Sequence, residues 1–152
     1  MKIKVDENGN LLIVARDSEN LSDYISIADN EDLINDPFKY KYVNGSIIKR
    51  NYAVLTTNRT DTNGNGKPDC PINQNHTITA TFYNSDDTPD TSVNGTFNLL
   101  FSNQGGQSKT YTITITNGVG SIDLTTDWSG IYTVNIINDQ TRYYNVLFIE
   151  FI

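Results

Sequence analysis

The feature that most constrains this fold is a strict alternation of apolar and polar residues in the second half of the chain. Residues 109–116 place a tyrosine and two isoleucines on one face of an extended strand and threonines on the other. Asn117-Gly118 then supplies a tight turn, and residues 119–125 return with a second alternating segment. Alternation with a period of two residues buries one face of a strand, so these segments predict a half-buried antiparallel sheet.

The same pattern recurs from residue 76 to the end of the chain, where turn residues separate short alternating segments. Helical periodicity is absent from the whole sequence, which predicts an all-β fold. We assign residues 75–152 to a small antiparallel β-sandwich. Three apolar stripes are expected to fill the space between its two sheets: Phe97/Leu99/Phe101, Tyr111/Ile113/Ile115 and Tyr132/Val134/Ile136.

The first part of the chain, residues 1–55, carries hairpin signals of its own. Residues 2–5 alternate, Asn8-Gly9 is a pair typical of a type I′ turn, and residues 11–14 can pair back. Asn44-Gly45 is a second tight-turn pair. The sequence therefore predicts a small N-terminal unit built from β-hairpins.

An aromatic ladder precedes the second of these turns. Phe38, Tyr40 and Tyr42 alternate with Lys39 and Lys41, so the three rings are predicted to share one face of a strand. Such a ladder is typical of the buried face of a hairpin. It is also the arrangement of a platform on which sugars or bases stack, and both interpretations stay open.

Residues 56–74 are rich in Asn, Gly, Thr, Pro and Asp and have no hydrophobic period, which predicts a linker between the two parts. Within it, oxygen-bearing residues recur at alternate positions and Gly66 falls sixth, as in a Ca²⁺ loop of the EF-hand type. The twelfth position is Ile72 instead of glutamate, so the residues leave open a Ca²⁺ site and a plain hinge. The predicted ligands are Asp61, Asn63, Asn65, the carbonyl oxygen of Lys67, and Asp69.

Charge and composition exclude several classes of function. The net charge of −7 lies mostly after residue 60, where three basic residues stand against nine acidic ones. A basic surface for nucleic acid is therefore absent, and no window is apolar enough for membrane insertion. The one cysteine, Cys70, excludes a disulfide within the chain.

The sequence contains no phosphate loop, dinucleotide fingerprint or zinc-ligand spacing. The single histidine, His76, is expected to be an exposed or turn residue, and Cys70 an inert or loop-exposed thiol. The acidic pair Asp86-Asp87 lies in a polar loop, where solvated charge is the expected role. We therefore predict that the chain is not an enzyme and needs no cofactor, Ca²⁺ being the single candidate.

Residues 95–134 are predicted to form one strand, then two strands joined by an Asn-Gly turn, and then a strand with the pattern Gly-Xaa-Tyr-Xaa-Val. This order resembles bacterial and phage immunoglobulin-like domains, over roughly residues 72 to 152. The Cys…Trp…Cys arrangement of antibody domains is missing, and Trp128 precedes a strand, so it is not expected to be the buried pin of that fold. Residues 1 to about 52 are similar to virion-attachment segments of phage fibre and decoration proteins.

The resemblance implies a phage virion structural protein, either a capsid decoration or head fibre or a tail component. The first part would bind capsid or tail proteins through Phe38, Tyr40 and Tyr42, and the chain could form a homo-oligomer. The displayed domain would contact host surface glycan. The candidate contacts for that glycan, which are also candidates for core packing, are Trp128, Tyr132, Tyr143 and Tyr144.

The resemblance also implies a location for the protein. No signal peptide is visible at the start of the sequence, which fits synthesis in the host cytoplasm and incorporation into a virion. A bacterial cell-surface adhesion module or a carbohydrate-binding module is the alternative function.

Overall fold

The computed structural model describes residues 1–15, 24–139 and 141–152. The chain divides into two compact units, Met1–Arg50 and Asn51–Ile152. Each unit contains its own cluster of buried apolar side chains. None of the helices in the described ranges is both long and apolar enough to cross a membrane.

The first unit combines a three-stranded sheet with a separate two-stranded hairpin. A short helix contributes Leu33 to a core that also buries Met1, Ile3 and Leu11. The Asn30 side chain caps this helix by accepting a hydrogen bond from the Leu33 amide at 3.2 Å. The elements are β1 (Lys2–Val5), β2 (Leu11–Ala15), β3 (Ile25–Ser26), α1 (Glu31–Asn35), a 3-10 turn (Pro37–Lys39), β4 (Tyr40–Val43) and β5 (Ser46–Lys49).

The first hairpin forms as predicted, but its turn is of a different type. A type I′ turn needs positive φ at both central residues, and only Gly9 of the Asn8-Gly9 pair has it, at +77°. The Asp6 carboxylate accepts hydrogen bonds from the amides of Asn8 and Asn10, at 2.9 and 2.8 Å, and so holds a wider turn. The turns at residues 44–45 and 117–118 do have positive φ at both positions.

The aromatic ladder is interrupted, which corrects the prediction that its three rings share a face. Pro37 begins a 3-10 turn that includes Phe38, and β4 starts only at Tyr40. The fixed φ of proline favours such a turn and ends the alternation there. Tyr40 and Tyr42 pack against the core of the first unit, whereas the Phe38 side chain is 71% exposed.

The second unit contains nine strands in its described residues. They are β6 (Tyr52–Thr57), β7 (Asp69–Cys70), β8 (Asn75–Tyr83), β9 (Gly95–Ser102), β10 (Ser108–Ile115), β11 (Val119–Thr125), β12 (Gly130–Ile136), β13 (Tyr143–Tyr144) and β14 (Leu147–Phe151). The strands form two sheets, whose orders are β10-β9-β12-β14-β7 and β11-β8-β6-β13. Most neighbouring strands are antiparallel, and the short pairs β13-β6 and β14-β7 are parallel.

Side chains from both sheets form one buried core, so the prediction of an all-β sandwich is confirmed. The three apolar stripes lie in or against this core as expected. The four-stranded sheet adds Ala53, Leu55, Ile78, Ala80, Phe82 and Leu124.

The predicted division of the chain at a linker over residues 56–74 was wrong. Strand β6 pairs with β8, and its Ala53 and Leu55 are buried in the sandwich core. Strand β7 pairs with β14. Residues 51–74 therefore belong to the second unit, because pairing and burial compensate for their weak hydrophobic pattern.

Gly118 provides a test of the turn between β10 and β11. Its φ is +81°, and a Cβ atom there would lie 2.3 Å from the Asp90 carbonyl oxygen. Gly106 has the same φ but no neighbour within 4 Å of its added Cβ. We expect Gly106→Ala to lower the unfolding free energy by about 1 kcal/mol, and Gly118→Ala by at least about 2 kcal/mol. Urea denaturation measures both, and equal losses would contradict the close approach.

Candidate functional site

The predicted Ca²⁺ loop, residues 61–69, connects β6 to β7 inside the second unit. Both oxygens of the Asp61 carboxylate accept backbone hydrogen bonds, from the amides of Gly64 and Gly66, each at 2.7 Å. The bond from Gly66 is the main cause that lowers the pKa of Asp61. Asp61, the first predicted ligand, thus stabilises the turn of the loop by accepting these backbone hydrogen bonds.

Asp69 closes the other end of the loop and is almost fully buried, with 4% of its surface exposed. Its carboxylate accepts hydrogen bonds from the Thr62 amide at 2.7 Å and from the Asn63 side-chain nitrogen at 3.0 Å. A buried carboxylate is stable only when such donors replace its hydration. Asp69 is therefore a structural anchor of the loop.

Glu150 joins the loop from the distant strand β14, where it is the register partner of Asp69. Its Oε2 atom accepts a hydrogen bond from the side-chain nitrogen of Asn63 at 2.9 Å, and another from that of Asn65. No local pattern could have identified this residue, because only the pairing of β7 with β14 brings it to the loop.

The amide oxygens of Asn63 and Asn65 hold the loop by accepting hydrogen bonds from the backbone amides of Asn65 and Lys67, at 3.0 and 2.9 Å. Within the described residues, no three His, Cys, Asp or Glu side chains are grouped as metal ligands. Each amide oxygen keeps a second lone pair, so the obstacle to a cation lies at Asp69, where it would compete with the donors of Thr62 and Asn63. The position of the loop inside one unit also rules out the predicted role as a hinge between two parts.

The aromatic residues predicted at a glycan surface lie largely in the core. Tyr132 is 3% exposed, and its hydroxyl donates to Oε1 of Gln107 at 3.0 Å. Trp128 stacks on Tyr132 with ring centroids 5.2 Å apart and packs edge-on against Phe101 and Phe151. Trp128 is only partly buried and packs against the sandwich core from the loop before β12, so it is not the buried strand residue of antibody domains, as expected.

Tyr144 packs its ring edge-on against Phe82 and donates its hydroxyl to Asp139 at 2.8 Å. Burial opposes ionisation of Asp139, but hydrogen bonds from Thr141, Tyr144 and Arg142 outweigh it and lower the pKa of Asp139 to about 2. Burial and this carboxylate raise the pKa of Tyr144 above its ordinary value. Tyr143 precedes Tyr144 in β13 and is half-buried. Core packing therefore accounts for Trp128, Tyr132 and Tyr144.

His76 is fully buried, which corrects the prediction of an exposed or turn residue. Cys70 is also fully buried, so of the two alternatives predicted for its thiol, inert or loop-exposed, the loop-exposed one was wrong. Cys70 is the second residue of β7, and burial is the main cause that raises the pKa of its thiol. His76 lies on the inward face of β8, where burial alternates, with its ring 5.2 Å from that of Phe151 and with no hydrogen-bond partner at its Nε2 atom.

The structure also reveals a recess that the strand pattern did not single out. It has a volume of about 650 Å³ and lies on the outer face of the five-stranded sheet, beside the β9-β10 turn. Ile131 and Phe148 line it with half-exposed apolar side chains. Polar residues, including Ser102, Asn103, Gln104 and Thr133, complete its lining. Alternation predicts which residues face outward, but not that the turn closes one side of this surface.

Comparison with known proteins gives no further assignment: no protein-family model matches the chain, and a search of curated proteins finds no match.

Addition of Ca²⁺ tests the loop directly. Because the Asp69 carboxylate is buried and already accepts hydrogen bonds from Thr62 and Asn63, we expect millimolar Ca²⁺ or EDTA to leave the thermal unfolding midpoint unchanged. Asp69→Asn should lower the unfolding free energy by about 2 kcal/mol, because it removes a buried acceptor of several hydrogen bonds. A Ca²⁺-dependent rise of the midpoint that Asp61→Asn abolishes would instead establish a metal site.

The burial of His76 predicts a pH dependence of stability. Burial is the main cause that lowers its pKa below the ordinary value of 6.5, so the unfolded chain binds the proton more readily than the folded one. Stability is then complete above pH 6.5 and falls as the pH drops below it, by at most about 1.4 kcal/mol per pH unit. Since His76 is the one histidine in the sequence, His76→Gln should flatten the profile between pH 7.5 and 5.5. An unchanged slope in denaturation experiments would contradict this assignment.

Proposed function

We propose that this chain is a non-enzymatic structural protein of a phage virion, a capsid decoration or head fibre or a tail component. Its first unit would bind capsid or tail proteins, and its second unit would be displayed for weak contact with host surface glycan. The observation that carries the proposal is the combination of two separately packed units with apolar side chains exposed on the smaller one.

The first unit is small, yet it exposes several large apolar side chains. Phe38 is 71% exposed, and Leu12 and Ile13 of β2 are 59% and 43% exposed. Strand β2 also lies at one edge of its sheet, in the order β2-β1-β3. An edge strand with exposed apolar residues is a surface that another protein can extend by β-pairing and side-chain burial. Of the three predicted anchor residues, Phe38 is the contact, and Tyr40 and Tyr42 support it from the core.

The strand order of the second unit supports an immunoglobulin-like assignment. In one sheet β8 lies between β11 and β6, and in the other β12 lies between β9 and β14. Immunoglobulin sandwiches have the equivalent neighbours, with strands A, B and E in one sheet and C, F and G in the other. This domain type serves as a display module in many surface proteins, so function has to be argued from its exposed sites.

The burial of the two most reactive side chains supports a role without catalysis. Cys70 is fully buried and its pKa is raised, so a thiolate nucleophile is disfavoured. His76 is also fully buried and has no access to a substrate at the surface. Virion localisation follows from the proposed attachment.

Binding to particles tests this function. We expect the chain to be detected by mass spectrometry in density-purified virions of the phage that encodes it. Recombinant chain should also bind particles that lack it, and Phe38→Ala should weaken that binding about tenfold by removing an exposed aromatic contact. The matched control is Phe148→Ala, which removes an exposed ring from the second unit and should leave particle binding unchanged.

Both variants should keep the wild-type unfolding midpoint, because both rings are at least half exposed. Wild-type chain that neither occurs in virions nor binds them would overturn the proposal. Binding to bacterial cells in that situation would favour the alternative function, a cell-surface adhesion or carbohydrate-binding module.

A further inference from the structure

We propose that the recess beside the β9-β10 turn binds one neutral saccharide unit of a surface glycan. This inference rests on the proposed display of the second unit, and it replaces the predicted aromatic contacts with a different set of residues. The volume of about 650 Å³ lies within the usual range for small-ligand sites. The recess belongs entirely to the second unit.

An apolar floor is formed by two neighbouring strands. Thr133 of β12 lies opposite Phe148 of β14, and Ile131 lies two residues from Thr133 on the same face. Phe148 is 50% exposed and Ile131 is 44% exposed. None of the aromatic rings in the described part of the chain packs against Phe148, so its face is available for stacking. The C–H face of a sugar ring is the apolar surface that such a floor accommodates.

Polar groups lie directly beside this floor. The hydroxyls of Ser102 and Thr133 are 3.0 Å apart, and Thr133 also donates to the Ser102 carbonyl at 3.2 Å. Asn103 donates to the Gln107 side chain and accepts from the Gln107 amide, both at 2.9 Å, which holds the turn. Gln104 is exposed at the tip of this turn. Hydroxyl and amide groups that both donate and accept match the hydroxyls at the rim of a sugar.

The few charged side chains around the recess favour a neutral ligand. Among the described residues that line the recess, Lys67 is the one that carries a charge, and its ammonium lies 3.4 Å from the carbonyl oxygen of Asn65. The nearby Glu150 carboxylate accepts hydrogen bonds from Asn63 and Asn65. A polyanion would need several cations, and a purely apolar partner would remove water from the exposed Gln104 amide without replacing its hydrogen bonds. A neutral sugar can pack its C–H face on the apolar floor and form hydrogen bonds with the polar groups beside it.

Titration of the full-length chain with neutral sugars tests the proposal. The probes are the methyl glycosides of glucose, galactose, mannose, N-acetylglucosamine and N-acetylgalactosamine, followed by ¹H–¹⁵N NMR. We expect at least one of them to shift amide signals of residues 102–105, 131, 133 and 148. Phe148→Ala should raise the Kd about tenfold through the loss of apolar contact. Phe38→Ala is the matched control, since it removes an exposed ring from the first unit and should leave the Kd unchanged.

Three results would overturn this site. They are no localised shifts with any neutral glycoside, shifts that Phe148→Ala leaves unaffected, or stronger binding of sulfated or sialylated glycosides than of neutral ones. Sedimentation that shows Phe148-dependent dimers without sugar binding would assign the surface to a second copy and likewise overturn it.

The experiment separates this inference from the proposed function. Particle binding without sugar shifts would refute the saccharide site and leave the virion role standing. Sugar binding at Phe148 without particle binding would refute the virion role and leave the site standing.

Discussion

The structure of the second unit depends on the burial of large side chains between its two sheets. Phe82 comes from one sheet and Phe101 and Phe151 from the other, and all three are fully buried. Full burial of a phenylalanine side chain stabilises the fold by about 1.5–3 kcal/mol, which is a large share of the net stability of a small domain. Because strand residues alternate between faces, this burial also decides which residues face water. Ile149 points into the core, so its neighbour Phe148 points outward, and Val134 likewise leaves Thr133 outside. The recess is therefore a consequence of the core pattern together with the turn that borders it.

Local patterns predicted strands β8 to β12 of the sandwich and their inner faces. The stripe of Tyr132, Val134 and Ile136 lies in the core because alternation is a property of the strand itself. The same reasoning failed for Phe38, where proline replaced the strand by a 3-10 turn. It also failed for the domain boundary, because β6 and β7 are stabilised by partners far along the chain. Sequence patterns report what a segment can form alone, and they do not report which distant strand completes its hydrogen bonding.

The residues of the 61–69 loop have two possible roles, as metal ligands and as hydrogen-bond acceptors that hold the loop. Oxygen-bearing side chains at alternate positions can surround a cation, and the same atoms can accept hydrogen bonds from backbone amides. In this loop Asp61 and Asp69 accept such hydrogen bonds, and Glu150 adds an acceptor for two asparagine side chains. Burial of Asp69 beside β14 requires donors at that carboxylate whether or not a metal is present. The spacing of the ligands is visible in the sequence, whereas the orientation of their amides is set by the fold.

The two units place their exposed rings in different chemical settings, and this difference argues for separate partners. Around Phe38, the first unit exposes aliphatic side chains on an edge strand, a surface suited to another protein. Around Phe148, the second unit presents hydroxyl and amide groups beside a single apolar floor. A protein partner that buried this second surface would have to pair each polar group, which lowers the net gain from the apolar contact. The acidic excess after residue 60 adds electrostatic repulsion between copies of the second unit. The two proposed roles, attachment through the first unit and saccharide recognition through the second, each match the polarity of the surface concerned.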